Sequence, residues 1–295
     1  MTTLTDRAML AGLTISLWSA RKHDRRVSDQ IARAHDADSD AGRYHKTLIA
    51  KEALQEIAKI ANEARGHHYT NTLPWADNGA RILPADNYFD YTRAQRDYRE
   101  KFQGAVARFR DNYPHYVTDA RQRLRKLFRD DDYPTAAEMV TKFAFEIAFT
   151  PIPASEDFRV ALGDLEETRI RADIERRLSA ATEAAMRDLW ERVYKAVSHM
   201  RDRLRLYEIS PSGKVQNPFR DTLVENLRDL AELLPKLNVT GDPRLDDLRQ
   251  RLTKSLCVHD AQSLRDSDAL RRETARTADD ILADMAGYVE PAAAE

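Results

Sequence analysis

Apolar residues recur along this chain with two different periods. Leu48, Ile49, Leu54, Ile57, Ile60 and Ala61 fall at helical spacing, so the pattern predicts a helix over 44–65, with Gly66 as its stop. The stretch 66–86 reads as loop, with Pro74, the turn pair Asn78–Gly79 and Pro84. Tyr98, Phe102, Val106, Phe109, Tyr113, Val117, Ala120, Leu124 and Leu127 form one stripe over 87–129. Pro114 interrupts it without shifting its phase, which fits one kinked helix or two consecutive ones. A second stripe runs from Ile170 through Leu178, Ala185, Val193 and Met200 to Leu204, predicting a helix over 164–207. At a rise of ~1.5 Å per residue that rod is about 65 Å long, so it needs a lengthwise partner.

The period changes to two at Phe143, Phe145, Ile147 and Phe149, which predicts a strand over 142–150, ended by Pro151 and Pro153. Leu13, Ile15 and Leu17 alternate with Thr14 and Ser16 in the same way. Thr135 and Glu138 have capping-box spacing. Asn217–Pro218 and Asp242–Pro243 place a cap residue before a proline, and predict helix starts over 219–237 and 244–256. A last helix spans 261–285 and a frayed tail follows. The expected fold is therefore mainly α with a minor β element. It has a long antiparallel, coiled-coil-like hairpin arm and a small helical head with a short sheet. Three segments follow: 1–86, 87–207 carrying the inserted strand, and 208–295.

Charge gives that hairpin a register. Pairing 87–129 with 164–207 sets Arg121, Arg123, Arg125, Lys126 and Arg129 beside Asp164, Glu166 and Glu167. It sets Arg201, Arg203 and Arg205 beside Asp86 and Asp90. Over the whole chain 47 basic residues face 49 acidic ones, a net charge of -2, which argues against a wholly basic nucleic-acid binder. The runs 21–26 and 121–129 nonetheless have the arginine content that suits phosphate contacts.

Catalytic and metal chemistry find little support. Asp36, Asp38, Asp40 and Gly42 miss the calcium-loop pattern, with Gly one place late and Thr47 where a bidentate Glu belongs. His67 and His68 are adjacent and lack companion ligands. Cys257, His259 and Asp260 lie too close in sequence to resemble a nucleophile assembled from distant segments. Nucleotide and hydrolase signatures do not occur, so the expectation is no catalytic, cofactor or metal site. Tyr69 and Trp75, on the irregular segment 69–79, join the 121–129 basic residues as candidate interaction positions. The alternative for Trp75 is that it anchors its loop. With 42% hydrophobic residues the chain can fill a core, and its mean hydropathy of -0.65 argues against a membrane span. The single cysteine and the basic residues after Ala20 point to the cytoplasm rather than export.

Leu13–Lys22 (LTISLWSARK), Asn217–Leu223 (NPFRDTL) and Leu233–Leu245 (LLPKLNVTGDPRL), set around a long helical hairpin, resemble an uncharacterised family encoded by phages, plasmids and integrative elements. Its genes often neighbour a MoxR-type AAA ATPase or recombination genes. The resemblance implies a non-enzymatic accessory role with a protein partner or self-assembly. The alternative is DNA metabolism through the Arg clusters. It carries over no functional residue.

Overall fold

The computed structural model describes residues 4–76, 79–155, 160, 163–212 and 214–289. Asn78, Gly213 and the tail beyond Val289, all read from sequence as turn or frayed residues, lie outside them. In chain order the elements are α1 (Leu4–Arg7), β1 (Ala8–Ser16), β2 (Arg21–His23), α2 (Arg25–Ala34), β3 (His45–Thr47) and α3 (Lys51–Thr70). They continue with β4 (Leu73–Pro74), β5 (Ala80–Pro84), α4 (Tyr88–Leu124), α5 (Ala136–Val140), β6 (Ala144–Thr150) and α6 (Asp164–Leu206). The last are β7 (Glu208–Ile209), β8 (Val215–Gln216), α7 (Thr222–Leu237), α8 (Pro243–Arg251), α9 (Ala261–Asp266) and α10 (Asp268–Met285). The fold is mainly α with a minor β part, and the largest sheet has the order β4-β5-β1-β6.

Two compact units interleave along the chain, rather than following one another as three segments. The first contains 1–12, 69–90 and 149–295; the second contains 13–68 and 91–148.

In the first unit, β1 pairs antiparallel with β5 from Ala8↔Pro84 to Gly12↔Ala80. The 43-residue α6 packs on α10 and α7. Its partner α10 runs antiparallel to it. Trp190 stacks on Tyr288 at 4.5 Å, Arg201 and Arg205 pair with Asp279, and Arg271 lies over Tyr207 at 4.6 Å. The hairpin expected between α4 and α6 is corrected here: α6 has α10 as its lengthwise partner, and the two long helices belong to different units. The expected charge register fails with it. Glu166 and Glu167 pair within their own helix, with Arg169 and Arg171, and Asp90 pairs with Lys236 at 2.7 Å. The reason is energetic. Each exposed ion pair contributes roughly 0–1 kcal/mol, whereas burying one large apolar side chain contributes about 1.5–3 kcal/mol. Leu189, Val193, Val197, Met200 and Leu204 are all buried, and that stripe selects the partner. Before Ala181, α6 has no buried side chain and is laced by i,i+3 and i,i+4 ion pairs.

In the second unit, Ile57, Ala61 and Ala64 of α3 share a core with Phe102, Ala105 and Phe109 of α4. Trp18 meets Phe109 and Tyr113 edge-on at 6.4 and 6.1 Å, and Phe145 of β6 lies 5.6 Å from Phe102. α4 continues through Pro114, so the single-helix reading holds. The exposed Pro114 leaves the loss of one backbone bond on the solvated side. Gly66 does not stop α3, which reaches Thr70. His68, beyond it, is buried and shares a 2.8 Å hydrogen bond with Tyr91, so a tertiary contact outweighs the ~1 kcal/mol glycine cost.

Two further corrections concern helix ends. α7 begins at Thr222 rather than after Asn217, which has φ +50 and donates to the Leu206 carbonyl. The last predicted helix breaks at Ser267, whose side chain caps α10 by accepting from Leu270 N.

Candidate functional site

The site grows from a small hairpin. β2 and β3 pair Arg21↔Thr47, Lys22↔Lys46 and His23↔His45. Two lysines directly opposite each other repel, so this hairpin needs a counter-charge. Asp132 supplies it, pairing with Lys46 and with Lys22 at 3.3 Å. Lys46 is 2% exposed and also donates to Asp24 Oδ2 at 3.0 Å and to the Leu127 carbonyl at 3.1 Å. Its three protons thus meet two carboxylates and one backbone oxygen.

Asp24 has a second task. Its Oδ1 accepts from Val27 N at 3.2 Å and caps α2. Ser28 then ties α2 to the hairpin. Its hydroxyl donates to the Asp24 carbonyl, accepts from Tyr44 N, and meets His23 Nε2 at 3.1 Å. Burial by itself raises the Asp24 carboxyl, but the Lys46 and Val27 hydrogen bonds overcome it and hold the group below its ordinary value. Burial by itself lowers Lys46, and the bonds to Asp132 and Asp24 reverse that, so its ammonium is held more firmly than usual.

This lock brings the two basic runs of the sequence together. Lys22 pairs with Asp132, and Lys46, held by Asp24, binds both Asp132 and the Leu127 carbonyl, which follow the end of α4. Arg123 donates to the carbonyls of Thr47 and Leu48 at 2.6 and 3.3 Å. Arg121 pairs with Asp130 and lies 4.3 Å over Phe128, which stacks on Tyr133 at 4.9 Å. Of the five basic candidates on this segment, Arg121 and Arg123 are therefore engaged in holding it. Arg125, Lys126 and Arg129 are exposed and make no ion pair among the described residues. Arg125 sits at φ +48 where α4 turns into a short 3-10 segment. Arg21, Arg25 and Arg26, on the other run, are also exposed without an ion pair.

Local acids are largely occupied. Asp24 and Asp132 are held by Lys46, Asp130 by Arg121, and Glu138 by the Thr135 capping box, while the exposed Asp131 and the half-buried Asp29 have no ion pair among the described residues. The acidic loop at Asp36–Asp40 follows the C-terminal end of α2, and the chain folds back along that helix, so that Asp38 lines one cavity with Ser28 and Tyr44. The charge of the two units is unequal. The second unit holds 22 basic and 17 acidic residues, and the first holds 25 and 32. The near-zero total conceals that division.

Tyr69 and Trp75 belong to the first unit and are not part of this cluster. Tyr69 lies under the Arg81 guanidinium at 4.8 Å, and Trp75 packs against the first unit's core as a loop anchor. Cys257 is buried, and burial pushes its thiol up, away from a reactive thiolate. Asp260 caps α9 through Ser263 N at 2.7 Å. Among the described residues no group of three His, Cys, Asp or Glu side chains has metal-site geometry, and no helix is long and apolar enough to cross a membrane. Lys46 escaped the sequence reading because its partners lie 22 and 86 positions away and nothing in His45–Thr47 marks it. No family model, curated protein or solved structure matches the chain.

Proposed function

We propose that the chain is a non-enzymatic binding protein whose second unit grips the phosphate backbone of a nucleic acid. The observation that carries this reading is the meeting of two arginine-rich runs around the buried Lys46–Asp24–Asp132 lock. Arg21, Arg25, Arg26, Arg125, Lys126 and Arg129 are exposed there, and most nearby carboxylates are already paired. Guanidinium groups suit phosphate because their donors form a planar fork. Phe128 and Tyr133 stack on each other, and the exposed rings at the cluster are His23 and His45, which lie 5.4 Å apart. The arginine-rich surface favours contact with the backbone over the bases, and sequence preference is weak.

Fluorescence anisotropy with labelled duplex and single-stranded oligonucleotides tests this. Six phosphate contacts imply a duplex affinity that falls about a thousandfold between 50 and 200 mM salt. Absence of binding at low salt sinks the proposal.

A second reading is association through α6 with a protein partner or a second copy. It is supported by the helical turns before Ala181, which bury no side chain, and by Leu165, 88% exposed. Sedimentation velocity at rising concentration tests self-association; a partner ATPase of the kind the resemblance implies is tested by co-sedimentation.

A further inference from the structure

A groove of about 440 Å³ lies in the second unit between α4 and β6. Its helix wall carries Arg99, Gln103 and Arg110, with Phe102 and Val106 in the floor. Its other wall is formed by Val140 of α5, by Phe143, and by Ala144, Phe145 and Glu146, the first three residues of β6. Consecutive strand side chains point to opposite faces, so three in a row line a groove only along the edge of the strand. β6 is the outer strand of its sheet, next to β1 on one side and with no strand neighbour on the other among the described residues. The groove therefore opens onto unpaired backbone N–H and C=O groups.

The direction of that edge follows from the aromatic contacts. Phe143 lies 5.9 Å from Phe109 and 6.5 Å from Phe102, while Phe145 lies 5.6 Å from Phe102. Rising numbers in β6 thus match falling numbers in α4, and the strand runs antiparallel to the helix. Arg110 marks the Phe143 end and Arg99 the Glu146 end. Eleven helical residues separate these arginines by about 16 Å, and four strand residues, the nearest separation that keeps both ends on one face, span about 14 Å, a difference within the reach of the long arginine side chains. Arg99 has no ion pair among the described residues, and the partner of Arg110 is its own chain neighbour Asp111, at 2.8 Å.

We infer that this groove binds an extended acidic peptide segment, which adds a strand to β6 and places carboxylates four residues apart, on one face of the added strand, on Arg99 and Arg110. Backbone hydrogen bonds to the edge supply affinity, and the apolar side chain midway between the two acids reaches the floor at Phe102 and Val106. The two arginines supply the preference for an acid at each end. This is a site distinct from the phosphate-binding surface and does not depend on it.

The probe is a fluorescein-labelled, N-acetylated peptide, Glu-Thr-Val-Thr-Glu, titrated into the full chain. Binding is expected, with slowed amide exchange over 144–148. Arg99→Glu with Arg110→Glu should weaken it about tenfold, both residues being exposed. The peptide with Lys at both ends should regain affinity for that variant. N-methylation of alternate peptide amides on the pairing edge should abolish binding. The inference is overturned if the wild-type chain fails to bind at millimolar peptide, or if charge reversal leaves the affinity unchanged. It is also overturned if sedimentation shows a dimer with β6 amides already protected, because a second copy then fills the edge. None of these outcomes touches nucleic-acid binding, so the two proposals fail separately.

Discussion

Replacing Lys46 by Met removes the cation shared by two buried carboxylates, leaving Asp132 with the half-exposed Lys22 and Asp24 with no ion pair. Asp24 and Asp132 side chains are 7% and 8% exposed, so neither turns to solvent without moving its backbone. At 3.0 Å and an effective dielectric near 20, the Lys46–Asp24 attraction is about 5 kcal/mol before desolvation is subtracted. Desolvation offsets much of the pair's net contribution, but removing one partner leaves the other's desolvation uncompensated. Variants of that kind lose about 3–5 kcal/mol. The assay is urea unfolding combined with amide exchange over 21–47, because two units need not unfold in one step. Lys46→Met should release the amides of Asp24 and Tyr44, which are bound to the Tyr44 carbonyl and to Ser28 Oγ. Adding Asp24→Asn and Asp132→Asn should recover at least half of the loss, since the uncharged triple variant buries no orphan charge. A loss below about 1 kcal/mol, or no recovery, would refute the lock.

The same lock fixes a pH dependence. Asp24 titrates lower in the folded chain, so its contribution is present above the ordinary carboxylate value and is lost as pH falls through the depressed folded value. Lys46 titrates higher, so its contribution is present up to its ordinary value and is lost as pH rises through the raised one. Lys46→Met should flatten both edges of the stability profile. Burial pushes the phenols of Tyr113 and Tyr133 up to about 12, so the folded chain keeps protons that the unfolded chain releases near 10. Stability should fall between those values, and absorbance at 295 nm should show at least three late-titrating tyrosines, because burial also pushes the Tyr91 phenol up. Gly66→Ala, in mid-helix with open space at the Cβ position, should stabilise the second unit by roughly 0.5–1 kcal/mol in urea unfolding. Replacing Arg125, Lys126 and Arg129 by Gln should change the melting temperature little, since none of them holds an ion pair.

Local signals in the sequence survive in the structure where physics acts locally. The alternation at Phe143–Phe149 is β6, the Thr135/Glu138 capping box forms in full, and Asp242–Pro243 starts α8. Asn217–Pro218 carries the same kind of signal and starts nothing, because the Leu206 carbonyl takes the asparagine side chain and the chain turns at φ +50. Pairing of the long helices was not legible. A stripe states that a helix needs a partner without naming it, and both α4 and α10 carry stripes of suitable length. Charge was a poor arbiter because surface pairs contribute so little. Of the candidate site, the two basic runs were visible as composition. Their meeting was not, since it depends on Lys46 reaching Asp24 and Asp132 from far away in sequence.

The salt dependence of duplex DNA binding, compared between the wild-type chain and the Arg125→Gln, Lys126→Gln, Arg129→Gln variant, tests the central claim most directly. The account predicts that log affinity falls linearly with log salt concentration for both, and that the variant's slope is shallower by about 3, one for each phosphate contact removed. An identical slope, or no binding by the wild-type chain at 50 mM salt, would contradict it.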